Sequence, residues 1–271
     1  MLPRKRLLTV RRRDQAGAAH KDQLLLEEPL QLTLQGGGRR LRLATILRTP
    51  GHDYELVLGY LCALGLIHSP EDVKELDYCA TPQDFNHLTV IFRGAIPEKA
   101  LQLRSQEWVH GGCGACGQDS LAVTPPHQVV PVPPWQPDWL CALPEQLRRH
   151  QDLFEKCGGS HAAALVRPGG QPELVYEDVG RHNAVDKVTG RLFMEKKSAE
   201  GNWLLLSGRS GFELVQKAVQ ARFSAVASVG PPSSLALNYA SQAGLTLVGF
   251  LRGDRYNVYT ERLPSSSISA V

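Results

Sequence analysis

The stretch Gly111-Gly112-Cys113-Gly114-Ala115-Cys116-Gly117 carries the clearest chemical signal in the chain. A thiol works as a nucleophile or metal ligand in its thiolate form, so exposure and a lowered pKa govern its use. Glycine on both sides strips away steric cover and admits backbone conformations closed to other residues. Backbone N–H groups can then turn toward a sulfur anion, as in other anion-binding nests. Cysteines kept only for packing need no such setting, and the loop reads as a reactive thiol site at Cys113 and Cys116. Two other uses of a Cys-x-x-Cys pair are weighed against it. Cys157-x-x-x-His161 could complete a structural zinc site, and the pair could exchange disulfides. The glycines and the lack of a second Cys-x-x-Cys argue against zinc. No strand and helix bracket the motif as an exchanger requires.

Three polar clusters fall where apolar runs give way to helical patterns, which is where α/β folds hold ligands. Ser207-Gly208-Arg209-Ser210-Gly211 follows the run ending at Leu206. Its small residues let backbone N–H groups face a phosphate, with Arg209 as charged partner. It lacks P-loop spacing, and a tight turn with a capping serine is the alternative. Glu177–Lys187 is dense in ionisable side chains, and Arg181, His182 and Asn183 beside Gly158-Gly159-Ser160-His161 offer many donors to an anionic ligand. An ordinary exposed helix face is the rival there, with Asp178 near the N-cap. Phe250-Leu251-Arg252-Gly253-Asp254-Arg255 sets two arginines around Gly-Asp. That suits phosphate and a guanine edge; a hairpin turn into Tyr256–Thr260 is the alternative. His161 and His182 are candidates for tuning the thiol or touching a ligand, and equally for satisfied core histidines.

The positioning elements are read from periodicity. Residues 22–34 and 39–47 alternate partially and are joined by Gly36-Gly37-Gly38, a strand pair with a flexible turn. Tyr54–Leu66 has helical spacing, with Asp53 as N-cap and Gly65 near its end. His87–Phe92 reads as a strand. Prolines 125, 126, 131, 133, 134 and 137 rule out regular helix or central strand. Leu140–Lys156 is expected as one helix. Beyond it, runs at 162–166, 174–176, 204–206, 225–228 and 246–250 alternate with helical patterns at 185–195, 212–222 and 233–243, implying a mainly parallel, covered sheet. The division is a basic tail (1–13), a smaller β-rich mixed α/β domain (14–110), a Gly/Cys loop with Pro-rich linker (111–137), and an α/β domain (138–271), so α+β overall.

Charge narrows the partners. The first 13 residues hold six Lys or Arg and no acid, while the whole chain is at +3, so the rest is at −3. A general nucleic-acid surface is not expected from such a body. No apolar run approaches the ~18–20 residues needed to span a bilayer, and no secretory pattern opens the chain. A cytoplasmic protein without membrane contact is the expectation. Cys62 reads as a core residue, and Cys79 and Cys141 have no neighbours that suggest chemistry.

In their order along the chain, the stretches Arg48–Asp53 with Leu58-Gly59, Cys113–Gly117, Gly158–Ala164, Glu177–Lys187, Ser207–Arg209 and Thr246–Arg255 resemble the FdhD-type sulfurtransferases, the formate dehydrogenase accessory proteins. The resemblance implies a sulfur carrier that takes persulfide sulfur from a cysteine desulfurase. It passes that sulfur to the Mo-bis(molybdopterin guanine dinucleotide) cofactor of formate dehydrogenase. By carry-over, Cys113 bears the persulfide, Cys116 assists, and Phe250–Arg255 contributes to the guanine-nucleotide site. Arg181, His182, Ser207, Gly208 and Arg209 are further contacts for this bound acceptor, and no permanently held metal is expected. The resemblance also implies a C-terminal cytidine-deaminase-like α/β domain after a smaller N-terminal domain, and a homodimer. Zinc deaminases use H-x-E and P-C-x-x-C. Here His161-Ala162-Ala163 lacks the glutamate and Pro232-Ser233-Ser234-Leu235-Ala236 both cysteines, so deamination is excluded. Cys157 stands where such relatives usually carry threonine, leaving it as a bystander or a third relay thiol. A chaperone that inserts the molybdenum cofactor without moving sulfur is the alternative function.

Overall fold

Short strands and amphipathic helices alternate through most of the chain, and the computed structural model places them in two sheets and an N-terminal hairpin. It describes residues 5–15, 18–78, 85–103, 106–109 and 125–262. Cys113 and Cys116 lie outside the described residues. The hairpin pairs β1 (Leu7–Arg13) antiparallel with β2 (Ala19–Leu25). Arg11, Arg12 and Arg13 are therefore strand residues. Their side chains are exposed on a ribbon without a buried face, so no apolar alternation marks it in the sequence.

The first sheet runs in the order β5 (Val73–Tyr78), β6 (His87–Phe92), β3 (Glu28–Gly36), β4 (Arg39–Arg48), β7 (Gln106–Val109). Gly37 and Gly38 take φ of 56° and 73°, as a two-residue turn between right-twisted strands requires. Helix α1 (Asp53–Ala63) covers this sheet through Leu56, Val57 and Leu61, all fully buried. Helix α2 (Glu98–Gln102) follows β6. Asp53 is not the N-cap of α1. That position is His52, at φ 57° and with no capping side-chain bond, because Asp53 is buried against Arg48.

Residues 125–136 form neither helix nor strand, yet Val129 and Val132 are buried in the two cores on either side of the second sheet. The expected single helix is two, α3 (Pro137–Arg148) and α4 (Asp152–Cys157). The second sheet comprises β8 (His161–Val166), β9 (Pro172–Asp178), β10 (Trp203–Leu206), β11 (Ala225–Ser228), β12 (Thr246–Arg252) and β13 (Arg255–Thr260), ordered β13-β12-β11-β10-β8-β9. Only β10–β11 and β11–β12 are parallel; the other three pairings are antiparallel. The mainly parallel expectation is thus corrected to a mixed sheet.

Alternation within β8 and β10 divides two cores. Ala163, Leu165, Leu204 and Leu206 face α5 (Arg181–Met194), α6 (Phe212–Gln220) and α7 (Ser234–Ala243). Ala162, Ala164, Trp203 and Leu205 face α3. Being covered on both sides, these strands read as continuous apolar runs. The two sheets are joined where α1 crosses α5 through two glycines. A Cβ at Gly59 would lie 1.9 Å from the Asp186 carbonyl oxygen, and one at Gly190 1.8 Å from that of Glu55. Among the described residues, no helix is long and apolar enough to cross a membrane.

Candidate functional site

Two of the sequence motifs meet at this crossing and spend their polar groups on each other. Asp178, fully buried, accepts from Thr49 N (3.2 Å), Gly180 N (2.9 Å), Asn183 Nδ2 (2.8 Å) and Lys187 Nζ (2.6 Å). Asn183 also donates to Leu47 O, and Lys187 to Thr49 O. Arg48 forks onto Asp53 at 3.0 and 3.1 Å. A buried charge is tolerable only when paired and hydrogen-bonded, and here each is. Asp178, Asn183 and Lys187 therefore tie the segment before α1 to α5, while Asp186 pairs with Lys217 of the later helix Phe212–Gln220. Helix α5 begins at Arg181, four residues before the apolar periodicity, because its first turn is buried in this junction.

The topology brings the remaining candidates to one edge. β10, β11 and β12 end at Leu206, Ser228 and Arg252, antiparallel β8 begins beside them at His161, and β9 ends at Asp178 before α5. This is the carboxyl edge of the parallel strands, the usual ligand side of such sheets. The loops there are tied together. Ser207 Oγ accepts from Ala162 N (2.8 Å), Gly230 N donates to Gly208 O (2.9 Å), and Phe250 N donates to Gly230 O (3.1 Å). Gly230 is required by close approach, since a Cβ there would stand 2.9 Å from Arg209 Cγ. Ser210 does not cap α6; its hydroxyl meets that of buried Ser228 at 3.0 Å.

A cavity of about 560 Å³ opens at this edge, lined among others by His161, Ser207, Val229, Gly253, Arg148 and Cys141. His161 and Ser207 come from separate motifs and share its wall. Burial, then the positive charges of Arg181 and Arg209, lowers the His161 pKa against the opposing pull of Asp178. The ring is neutral at neutral pH and can both donate and accept. Arg181 and Arg209 are thus close enough to bias it electrostatically. His182 lies beneath the rim, 6% exposed and outside the cavity lining. Burial first, then Lys217, Arg181 and His161, pushes it down to about 3. Its Nδ1 stands 3.4 Å from Glu213 Oε2, but neither ring nitrogen makes a hydrogen bond.

Arg252-Gly253-Asp254-Arg255 is a hairpin turn between β12 and β13, the geometry weighed as the alternative above. Asp254 and Arg255 are almost fully exposed, Leu251 is fully buried, and Phe250 is 39% exposed at φ 54°. A positive φ at an aromatic residue is strained and marks a position worth explaining. Cys141 was missed by sequence reasoning: it lines the cavity from α3. Burial, Asp138 and Asp254 raise its pKa, which keeps its thiol protonated. No local signal foretold it, because the far walls of the cavity, such as His161, Ser207 and Val229, come from later segments. Cys157 donates back to Leu153 O within α4 (3.0 Å).

The FdhD/NarQ family model matches residues 25–264. A "Sulfur carrier protein FdhD" from Anaeromyxobacter dehalogenans (strain 2CP-1) is 43% identical over 265 residues, covering 91% of this chain and 90% of that one. The protein of that name from Streptomyces coelicolor is 39% identical over 261 residues, covering 92% and 91%. A solved structure of a formate dehydrogenase accessory protein from Desulfotalea psychrophila superposes with a TM-score of 0.69 at 23% identity over 94% of this chain and 96% of its own, a likeness of fold. With its matched span running from β2 through the junction to the end of the second sheet, the chain belongs to the FdhD/NarQ family.

Proposed function

We propose that the protein is a sulfur carrier in formate dehydrogenase maturation, loading sulfur on Cys113 and delivering it to a molybdenum cofactor held at the sheet edge. The observation that carries this reading is the cavity at the carboxyl edge, formed by motifs that the sequence separates widely, in a chain similar throughout to sulfur carrier proteins. In the loading step, the Cys113 thiolate attacks the outer sulfur of a cysteine desulfurase persulfide. The desulfurase S–S bond breaks, an S–S bond forms on Cys113, and the desulfurase leaves as thiolate. Cys116 releases the cargo: its thiolate attacks the inner sulfur, closes a Cys113–Cys116 disulfide and frees hydrosulfide at the oxidation level of a sulfido ligand. An external thiol then reduces the pair.

The acceptor substrate is Mo-bis(molybdopterin guanine dinucleotide). Arg181 and Arg209 sit near His161 to meet phosphates. Gly208 keeps the rim low: a Cβ on it would already stand 3.5 Å from His161 Nδ1. Exposed Arg252, Asp254 and Arg255 offer ionic and guanine-edge contacts beside Phe250, while buried Leu251 anchors that strand. His182 supports the rim from below as a neutral ring. A sheet covered by helices on both faces is consistent with a deaminase-like scaffold emptied of its zinc ligands, working as a homodimer. The test is activation of sulfur-free formate dehydrogenase by protein loaded with desulfurase and cysteine. Wild type activates and Cys113→Ala does not. Activation by Cys113→Ala that still binds GDP points to the cofactor-chaperone reading.

A further inference from the structure

A second cleft, of about 530 Å³, shares no lining residue with the edge cavity. Its walls bring Lys5 and Arg6, just before β1, to His52 ahead of α1 and to His150 and Lys156 flanking and on α4. Two carboxylates line it as well, and Glu177 is anchored by neutral donors. Its Oε1 accepts from Phe154 N and Ser160 Oγ, and its Oε2 from Leu153 N. Glu177 and Asp152 thus set two negative charges, both acting on Arg6, against three permanent cations and two imidazoles, leaving a cationic excess.

Arg6 is held within the cleft with donors to spare. One terminal nitrogen donates to Glu177 O at 3.3 Å, while its Nε is buried without a partner. Leaving a buried donor unmade is costly, so Arg6 gains from a shift that brings an acceptor to its Nε. Guanidinium, ammonium and imidazole groups converging from three parts of the chain suit a tetrahedral anion with several acceptor oxygens. The volume lies in the range of small-molecule sites and exceeds a bare anion, and Val175 and Tyr176 supply an apolar wall. We propose that this cleft binds the phosphoryl group of a small phosphorylated molecule, at a site separate from the sulfur-delivery edge.

The experiment is calorimetric titration of the full chain with inorganic pyrophosphate. One saturable event is expected to survive Arg209→Gln at the edge and to weaken roughly tenfold in Arg6→Gln and in Lys156→Gln. Lys156 is an exposed side chain on α4, so its replacement leaves the fold intact and keeps the test valid if Arg6→Gln misfolds. Absence of saturable binding, binding unchanged in Lys156→Gln, or binding abolished by Arg209→Gln alone overturns the assignment.

Discussion

Replacing Gly190 by alanine tests whether the glycine crossing sets the packing of α1 on α5. The added Cβ would sit 1.8 Å from Glu55 O and 2.6 Å from its carbonyl carbon, whereas carbon and carbonyl oxygen in contact need about 3.3 Å. The helices must separate by about 1.5 Å, and both partners are backbone, so no side chain can swing aside. Such overpacking costs roughly 1–3 kcal/mol. Separation also stretches the Asn183–Leu47 and Lys187–Thr49 bonds that close the junction, adding about 1–2 kcal/mol. Better helix propensity of alanine returns about 1 kcal/mol. The net loss is about 1–4 kcal/mol, a melting temperature lower by roughly 2–12 °C for a chain of this size. Gly94, where an added Cβ would meet nothing within 4 Å, is the control. Thermal unfolding followed by circular dichroism reads both variants. A Gly190→Ala protein melting with the Gly94→Ala control would refute the argument.

Other perturbations follow from the same contacts. Lys187→Met leaves Asp178 buried without its cation but with three remaining donors, so urea unfolding should show a loss of about 3 kcal/mol, the lower end for broken buried pairs. His182 titrates near 3 in the fold against about 6.5 in the unfolded chain. Its contribution is therefore complete above about pH 6.5 and is lost as pH falls toward 3, because only the unfolded chain takes the proton readily. Since neither ring nitrogen makes a hydrogen bond, His182→Leu should flatten that decline in urea midpoints between about pH 7 and pH 5 while costing little at pH 7. Arg252→Gln and Arg255→Gln, both on an exposed turn, should each weaken GDP binding roughly tenfold without moving the melting temperature; unchanged affinity in both relocates the nucleotide site.

What could be read from sequence was what local chemistry encodes. Continuous apolar runs such as Leu204–Leu206 and Ala225–Ser228 gave strands, and Gly37-Gly38 gave a turn, because burial on both faces and positive φ leave marks in adjacent residues. Strand direction left none: four residues of β10 pack alike beside a parallel or an antiparallel neighbour. The hairpin of β1 and β2 was hidden because its side chains are largely exposed on both faces. The Glu177–Lys187 cluster stood out in the sequence, but the junction formed by its Asp178, Asn183 and Lys187 did not, since their partners Leu47 and Thr49 lie some 130 positions away. The edge motifs at 207–209 and 250–255 were legible through their glycines and arginines. Cys141 joins them only through folding.

The central claim rests on Cys113, and peptide mass spectrometry after incubation with a cysteine desulfurase and cysteine tests it most directly. One added sulfur on the Cys113 peptide, absent in Cys113→Ala and retained in Cys116→Ala, is the predicted result. A folded, GDP-binding protein that takes up no sulfur, or takes it up equally without Cys113, would contradict the account.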